Sequence, residues 1–400
     1  MIELWTYPGT VAAAGTRETV TEAVERGVDG LSLSSHVHSA RIFQPRERSM
    51  VRWAGGCWFE PDRDRFGAIQ PPTIDHATGG SADLLADTAT AAGEAGLGVS
   101  AWTVVGHGSQ LGAQNPAYRT QDAFGVPHDH APCFSHPEVR SYVARLAAAV
   151  SERPVEALDL ESVRELSVFH GHDAVAGHEA SAVPAGDTAR RLYSQCFCDA
   201  CRRVAVDGVA PTSEGAESGP AFDAEPAFDS EEEFDAARDR VRELVGEPLA
   251  DPTARLPALE TLVQREPTLA SLFRLRTQTV GATLAAAAAG SSVPVDVQIR
   301  GAEPNRWQGR RLADLNSHAD RLTVRCYGLG PDDAADRVRR VTEAADATVN
   351  AAVRFDSFDD GDRFVETVER VRDVVDRAVR VYSLPTATET HLDWLDRVTD

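Results

Sequence analysis

Short apolar, β-branched runs alternate with helix-period patterns from one end of this 400-residue chain to the other. Such alternation is the pattern of a parallel sheet, because parallel strands can be joined only by a crossover long enough to hold a helix. Eight runs qualify as strands: Ile2–Thr6, Gly30–Ser34, Gly98–Val105, Ala157–Leu160, Val295–Ile299, Leu322–Cys326, Val349–Phe355 and Val379–Tyr382. Eight units predict an α/β fold of the closed (β/α)8 TIM-barrel type, as one domain over residues 1–400. An open doubly wound sheet is the rival, and it usually carries a Gly-rich phosphate loop after its first strand. Here Pro8-Gly9-Thr10 follows that strand instead.

Helix-period segments lie between the strands: Thr16–Arg26 with Thr16 as its N-cap, Ser81–Ala95, Ser135–Val150, Ala334–Ala345, Asp362–Arg377 and Glu389–Val398. Three connections exceed the usual length, at residues 35–80, 106–135 and 161–290, after strands 2, 3 and 4. In a barrel such loops gather at the C-terminal face, where active sites are built. The last one contains an acidic low-complexity stretch, Glu214 to Glu233, read as a partly mobile insertion over 205–265.

There are 62 acids against 40 bases, a net charge of -22, and every base is Arg. An acidic surface could meet a basic partner, or it could stay hydrated in concentrated salt, where screening makes self-repulsion cheap. The acids are spread along the whole chain, which favours salt adaptation, and the composition resembles that of halophilic archaeal proteins. Nucleic acid is excluded as a partner, since phosphate binding needs a basic stripe. Met1-Ile2-Glu3-Leu4-Trp5 has no basic region, so no signal peptide is expected, and the Ala282–Ala289 run is too short to cross a membrane. The expected location is the cytoplasm, with the six Cys as reduced thiols or metal ligands rather than disulfides.

The strongest local motif is Cys196-Phe197-Cys198-Asp199-Ala200-Cys201. Three thiols in so short a span read as metal ligands, and thiolate donors favour structural zinc. Cys133 is the first choice for a fourth ligand, with Cys57 or a loop His as alternatives, while Cys326 reads as core.

Glu161 ends strand four, a position from which a barrel carboxylate works as general acid, general base or metal ligand. Asp159 shares its face by the period of two. The blander role is a helix cap or a partner for Arg164. Nine of twelve His fall in the long loops: His36, His38, His76, His107, His128, His130, His170, His172 and His178. The pairs His36/His38 and His170/His172 are spaced two apart, which on a strand aims both one way, as metal ligands or as hydroxyl partners. Trp53, Trp58, Phe59, Trp102 and Trp307 lie in or beside the strand-end loops, suited to stacking on a sugar or to packing loops onto the barrel.

The segment Ala131–Tyr142, containing Cys133, and the later Cys196-x-Cys198-x-x-Cys201 together resemble the barrel domain of the zinc-containing β-galactosidases and related glycoside-hydrolase-like barrels. The likeness covers residues 98–205. It implies Cys133, Cys196, Cys198 and Cys201 as ligands of structural zinc, and the acid/base Glu at Glu161. Departures are Leu160 where the family has Asn, and Phe134 and His136 where it has Pro and a small residue. The family's nucleophile is a Glu ending strand seven. Here that stretch runs from Asn350 to Asp356 without a Glu, leaving Asp356 as the stand-in.

The expectation is a glycoside-hydrolase-like enzyme cleaving or rearranging a small or oligomeric carbohydrate. Glu161 and Asp356 would be catalytic. His36, His38, Trp102, His107, His170, His172, Arg300 and Arg354 would hold hydroxyls or an anionic group. The alternatives are a metal-dependent hydrolase or isomerase with His36, His38 and Glu161 among its ligands, or a non-catalytic sugar-binding barrel.

Overall fold

All eight apolar runs become parallel strands in the computed structural model, which describes residues 1–74, 81–164, 167–169, 186–209, 225–251, 253–303 and 306–399. They are β1 (Ile2–Thr6), β2 (Gly30–Val37), β3 (Gly98–Val104), β4 (Ala157–Glu161), β5 (Val295–Ile299), β6 (Arg321–Arg325), β7 (Thr348–Arg354) and β8 (Val379–Tyr382). Each pairs with the next in chain order, and β8 pairs with β1 through Leu4 and Val381, so the barrel closes. Every residue of β1, β2 and β5 is buried, although β2 and β5 alternate apolar with polar side chains, as in Val295-Asp296-Val297-Gln298-Ile299, so both faces of these strands are covered.

The barrel interior also holds charge. Arg380 of β8 is fully buried and meets Glu3 at 2.8 Å, Asp296 at 3.0 Å and Asp159 at 3.1 Å. Thr323 accepts a hydrogen bond from Arg380 at 2.7 Å, and Asn350 donates to Asp296 at 2.8 Å. One guanidinium thus ties β1, β4, β5, β6 and β8 together beneath the working face. An ion cluster this deep persists only because its members are paired and hydrogen-bonded.

Two local expectations need correction. Pro8–Ala14 is a helix, with Pro8 at its first position, where a missing N–H is harmless. The following helix, Thr16–Glu25, is capped by Gly15 rather than by Thr16.

The loop after β2 forms an antiparallel hairpin, Ala40–Gln44 with Ser49–Trp53, and the loop after β3 another, Arg119–Gln121 with Pro127–Pro132. Between β4 and the helix Pro267–Gly290 lie the helices Asp187–Tyr193, Asp199–Asp207, Glu231–Ala250 and Leu259–Arg265. They enclose a second apolar cluster, with Phe197, Phe234, Val241, Leu269 and Phe273 at its centre. Of the insertion expected over 205–265, residues 210–224 lie outside the described residues. Glu231–Ala250 is a helix capped by Ser230, with three acids in its first turn where the dipole favours them. No described helix is long and apolar enough to cross a membrane.

Candidate active site and thiolate cluster

Glu161 is the last residue of β4 and half-buried at the C-terminal mouth of the barrel. Its carbonyl accepts from Val105 N at 3.0 Å, fixing the strand end against β3. Ser162 then turns the chain away with φ +63°, a left-handed conformation uncommon outside glycine and typical of constrained functional turns. Gly106 makes room for that turn: a Cβ there would lie 2.0 Å from the Ser162 carbonyl oxygen.

Trp102 of β3 donates its indole N–H to Glu161 Oε2 at 2.8 Å. The indole stacks on Trp5 at 5.5 Å between centroids and meets the edge of Tyr7 at 5.0 Å. Tyr7 and Tyr382 share a hydrogen bond of 2.5 Å between their hydroxyls. Burial raises the Tyr7, Tyr327 and Tyr382 phenols, and the negative charge of Glu161 adds to each. All three tyrosines therefore stay protonated donors around the carboxylate. The carboxylate thus sits among aromatic side chains from β1, β3, β8 and the loop after β6.

Other expected site residues divide. Asp356 lies in a short turn after β7, exposed, and accepts from Arg354 Nε at 2.8 Å as one half of a bidentate pair. The Arg354 guanidinium lies over Tyr382 at 5.2 Å and Tyr327 at 5.3 Å, so it borders the aromatic wall. His36 is buried in the core: its Nδ1 meets Val104 O at 2.6 Å and its Nε2 meets the Tyr142 hydroxyl at 3.2 Å. Burial holds its pKa down to about 4, so it is neutral, with one nitrogen donating and the other accepting. His38 parts from it and stacks on His107 at 4.5 Å, and His107 meets the edge of His130 at 5.9 Å. His170 and His172, with His76 and His178, lie outside the described residues. Trp53, Trp58 and Phe59 are buried and pack loops onto the barrel, and Trp102 is buried on β3 against Glu161, so none of the four offers an open face for a sugar. Arg164 makes no ion pair with Glu161.

Tyr7, Tyr327 and Tyr382 escaped the sequence reading. Their signal was position: each sits at, or one or two residues past, a barrel strand end.

Cys133, from the loop after β3, meets Cys196, Cys198 and Cys201 in the second apolar cluster, with all four sulfurs within 4.8 Å of one another. Cys133 lies 3.5 Å from Cys201 and 3.7 Å from Cys198. Arg276 Nη1 approaches Cys201 Sγ at 3.1 Å, and the Gln121 N–H approaches Cys196 Sγ at 3.2 Å. Four buried sulfurs this close could hold a metal ion. A tetrahedron with bonds of about 2.3 Å sets sulfurs about 3.8 Å apart, near the spacings found. His136 Nε2 stands 3.7 Å from Cys198 Sγ, outside the quartet. Cys57 pairs with β2 far from the quartet in register, and Cys326 is in the main core.

No family model and no curated protein matches the chain. Solved structures do. The α-L-fucosidase isoenzyme 2 of Paenibacillus thiaminolyticus superposes with TM-score 0.54 at 12% identity, over 99% of this chain and 48% of that one. The catalytic domain of a β-amylase from Paenibacillus polymyxa gives 0.53 at 11% identity, over 100% and 97%. A β-galactosidase from the psychrophilic Marinomonas ef1 gives 0.54 at 10% identity, over 100% and 58%. The likeness is one of fold. The chain spans about half the length of the fucosidase, and what it shares with these structures is the barrel fold.

Proposed function

We propose that this protein is a glycoside-hydrolase-like enzyme acting on a carbohydrate, with Glu161 as general acid/base. The observation that carries the reading is the indole hydrogen bond to Glu161 Oε2 at a barrel strand end, inside an aromatic surround. Tyr327 and Tyr382, half-buried at strand ends, are the rings of this surround able to meet the apolar face of a sugar, and a carboxyl held by one oxygen leaves the other to protonate a leaving oxygen. Asp356 is the proposed second carboxylate, oriented by Arg354. His38, His107, Arg300 and Arg354 are proposed hydroxyl partners.

Zinc is the proposed ion of the thiolate quartet, as the zinc-containing β-galactosidase pattern implies. Its fit rests on four buried sulfurs within 4.8 Å of one another, with an Arg and a backbone N–H to offset their charge. When bound, zinc would pin the loops after β3 and β4 together, which positions Glu161 from outside. The metal-dependent alternative loses support from His36, whose two nitrogens are engaged in the core. We further propose a cytoplasmic, salt-adapted setting, in keeping with six free Cys and dispersed acids.

The test is turnover of a panel of aryl glycosides in KCl buffer by the wild type, Glu161→Gln and Asp356→Asn. Turnover that drops about a hundredfold or more in Glu161→Gln supports the reading. Sugar binding with no turnover by any form would favour a binding barrel instead.

A further inference from the structure

The ends of β4, β5 and β6 gather guanidinium groups, three of which have no ion pair to an acid among the described residues. Arg164 lies three residues past Glu161, Arg300 directly follows β5, and Arg325 ends β6. Ile299 pairs with Val324, so Arg300 and Arg325 are neighbours on adjacent strand ends. Arg310 reaches in from the loop after β5, donating to Gln298 O at 2.6 Å and Gln308 Oε1 at 3.2 Å.

Arg164 and Arg310 are both more than nine-tenths buried, at 4% and 6% exposure. Among the described residues, Arg164, Arg300 and Arg325 have no carboxylate within ion-pair distance and no acceptor for their guanidinium groups, and Arg325 Nε is buried without a partner. Burial and the neighbouring guanidinium charges all push the same way, taking Arg164 down to about 9 and lowering Arg300 and Arg310 as well. Among the described residues, the charge of Glu161 reaches Arg164 and that of Asp187 reaches Arg300, and Asp187 is itself paired with Arg191. Glu303 borders the recess between Arg300 and Arg310 without an ion pair to either among the described residues.

The contrast lies inside the same barrel. Arg380 is equally buried, and the fold gives it three carboxylates. Like charges gathered in a low-dielectric region are costly unless an anion completes them. Guanidinium forks are also the donors best shaped for a carboxylate, sulfate or phosphate group.

We propose that Arg164, Arg300, Arg310 and Arg325 form a binding site for an oxyanionic group beside Glu161. Resting on the function proposed above, this makes the substrate an acidic carbohydrate whose carboxylate, sulfate or phosphate is held at the ends of β4 to β6.

The test is titration calorimetry of the full chain at constant ionic strength in KCl, with D-glucuronate, inorganic sulfate, inorganic phosphate and D-glucose as probes. Arg325→Gln is the main variant. Arg300→Gln is the second, because Arg300 is exposed and its replacement leaves the core untouched. At least one oxyanion binds the wild type, and each substitution weakens it about tenfold or more, the loss of a charge-assisted pair. Preference for glucuronate identifies a uronic acid, and preference for sulfate or phosphate identifies an esterified sugar. Glu161→Gln keeps the oxyanion site, so anion binding without turnover separates this proposal from the catalytic one. Absence of oxyanion binding above chloride, or binding that neither Arg substitution weakens, overturns it.

Discussion

Trp102 Nε1 lies 2.8 Å from Glu161 Oε2, joining the side chain of β3 to the carboxylate that ends β4. The two strands are already in register here, with Val104 opposite Glu161. The indole therefore holds one carboxylate oxygen of Glu161 at the end of β4. Trp102→Phe keeps the aromatic stack on Trp5 and removes only the donor. A hydrogen bond to a charged group contributes about 1.5–3 kcal/mol, so kcat/KM should fall roughly ten- to a hundredfold. Steady-state kinetics check this, with thermal unfolding as the control for an intact barrel.

Gly106 is the second positioning element. Its Cβ position lies 2.0 Å from Ser162 O, and neither backbone can give way without moving Glu161. Gly106→Ala should destabilise the fold by about 1–3 kcal/mol, as overpacking does. It should also lower kcat more than a substitution of equal cost remote from the mouth, read by urea unfolding beside kinetics.

Asp159 predicts a pH effect on stability. Burial is the main cause that pushes its carboxyl up to about 7, with Arg380 pulling the other way. An unfolded Asp ionises near pH 4, at about 3.9. As pH rises between those values, the unfolded chain releases the proton first, so this group's contribution to stability declines and levels off above about pH 7. Asp159→Asn cannot ionise. Its stability relative to wild type should therefore improve from pH 5 to pH 8, on the order of 2 kcal/mol, by denaturant midpoints at the two pH values.

The thiolate quartet predicts about one zinc per chain, measured by metal analysis after dialysis. Cys198→Ser should lose most of that zinc. Its melting temperature should fall, because metal binding free energy is folding free energy for the loops it joins. Cys326→Ser, in the main core, should leave the zinc content unchanged.

The barrel was legible in the sequence because short segments rich in β-branched residues, such as Val295–Ile299, recur between helix-period stretches eight times along the chain. The cysteine quartet was legible because three of its members are close in sequence; Cys133 lies 68 residues before Cys201, so its loop made it the first choice among alternatives and the family resemblance then agreed. Pro8–Ala14 was not legible, since Pro-Gly reads as a turn until a helix start claims the proline. Tyr7, Tyr327 and Tyr382 are isolated in sequence and converge only when the barrel closes. The His36/His38 pairing misled because β2 ends at Val37, so His38 lies past the strand, the period of two no longer holds, and the two rings part. The arginine group was equally hidden, as its members come from three strand ends and one loop.

The central claim is that Glu161 protonates a leaving glycosidic oxygen. It is tested most directly by the leaving-group dependence of Glu161→Gln on aryl glycosides. A general acid matters most when the departing oxygen is basic and least when it is acidic. The account predicts a loss of about a hundredfold or more on poor leaving groups, shrinking toward wild-type rates on nitrophenyl-type leaving groups. A loss that is the same across the series, or no loss at all, would contradict it.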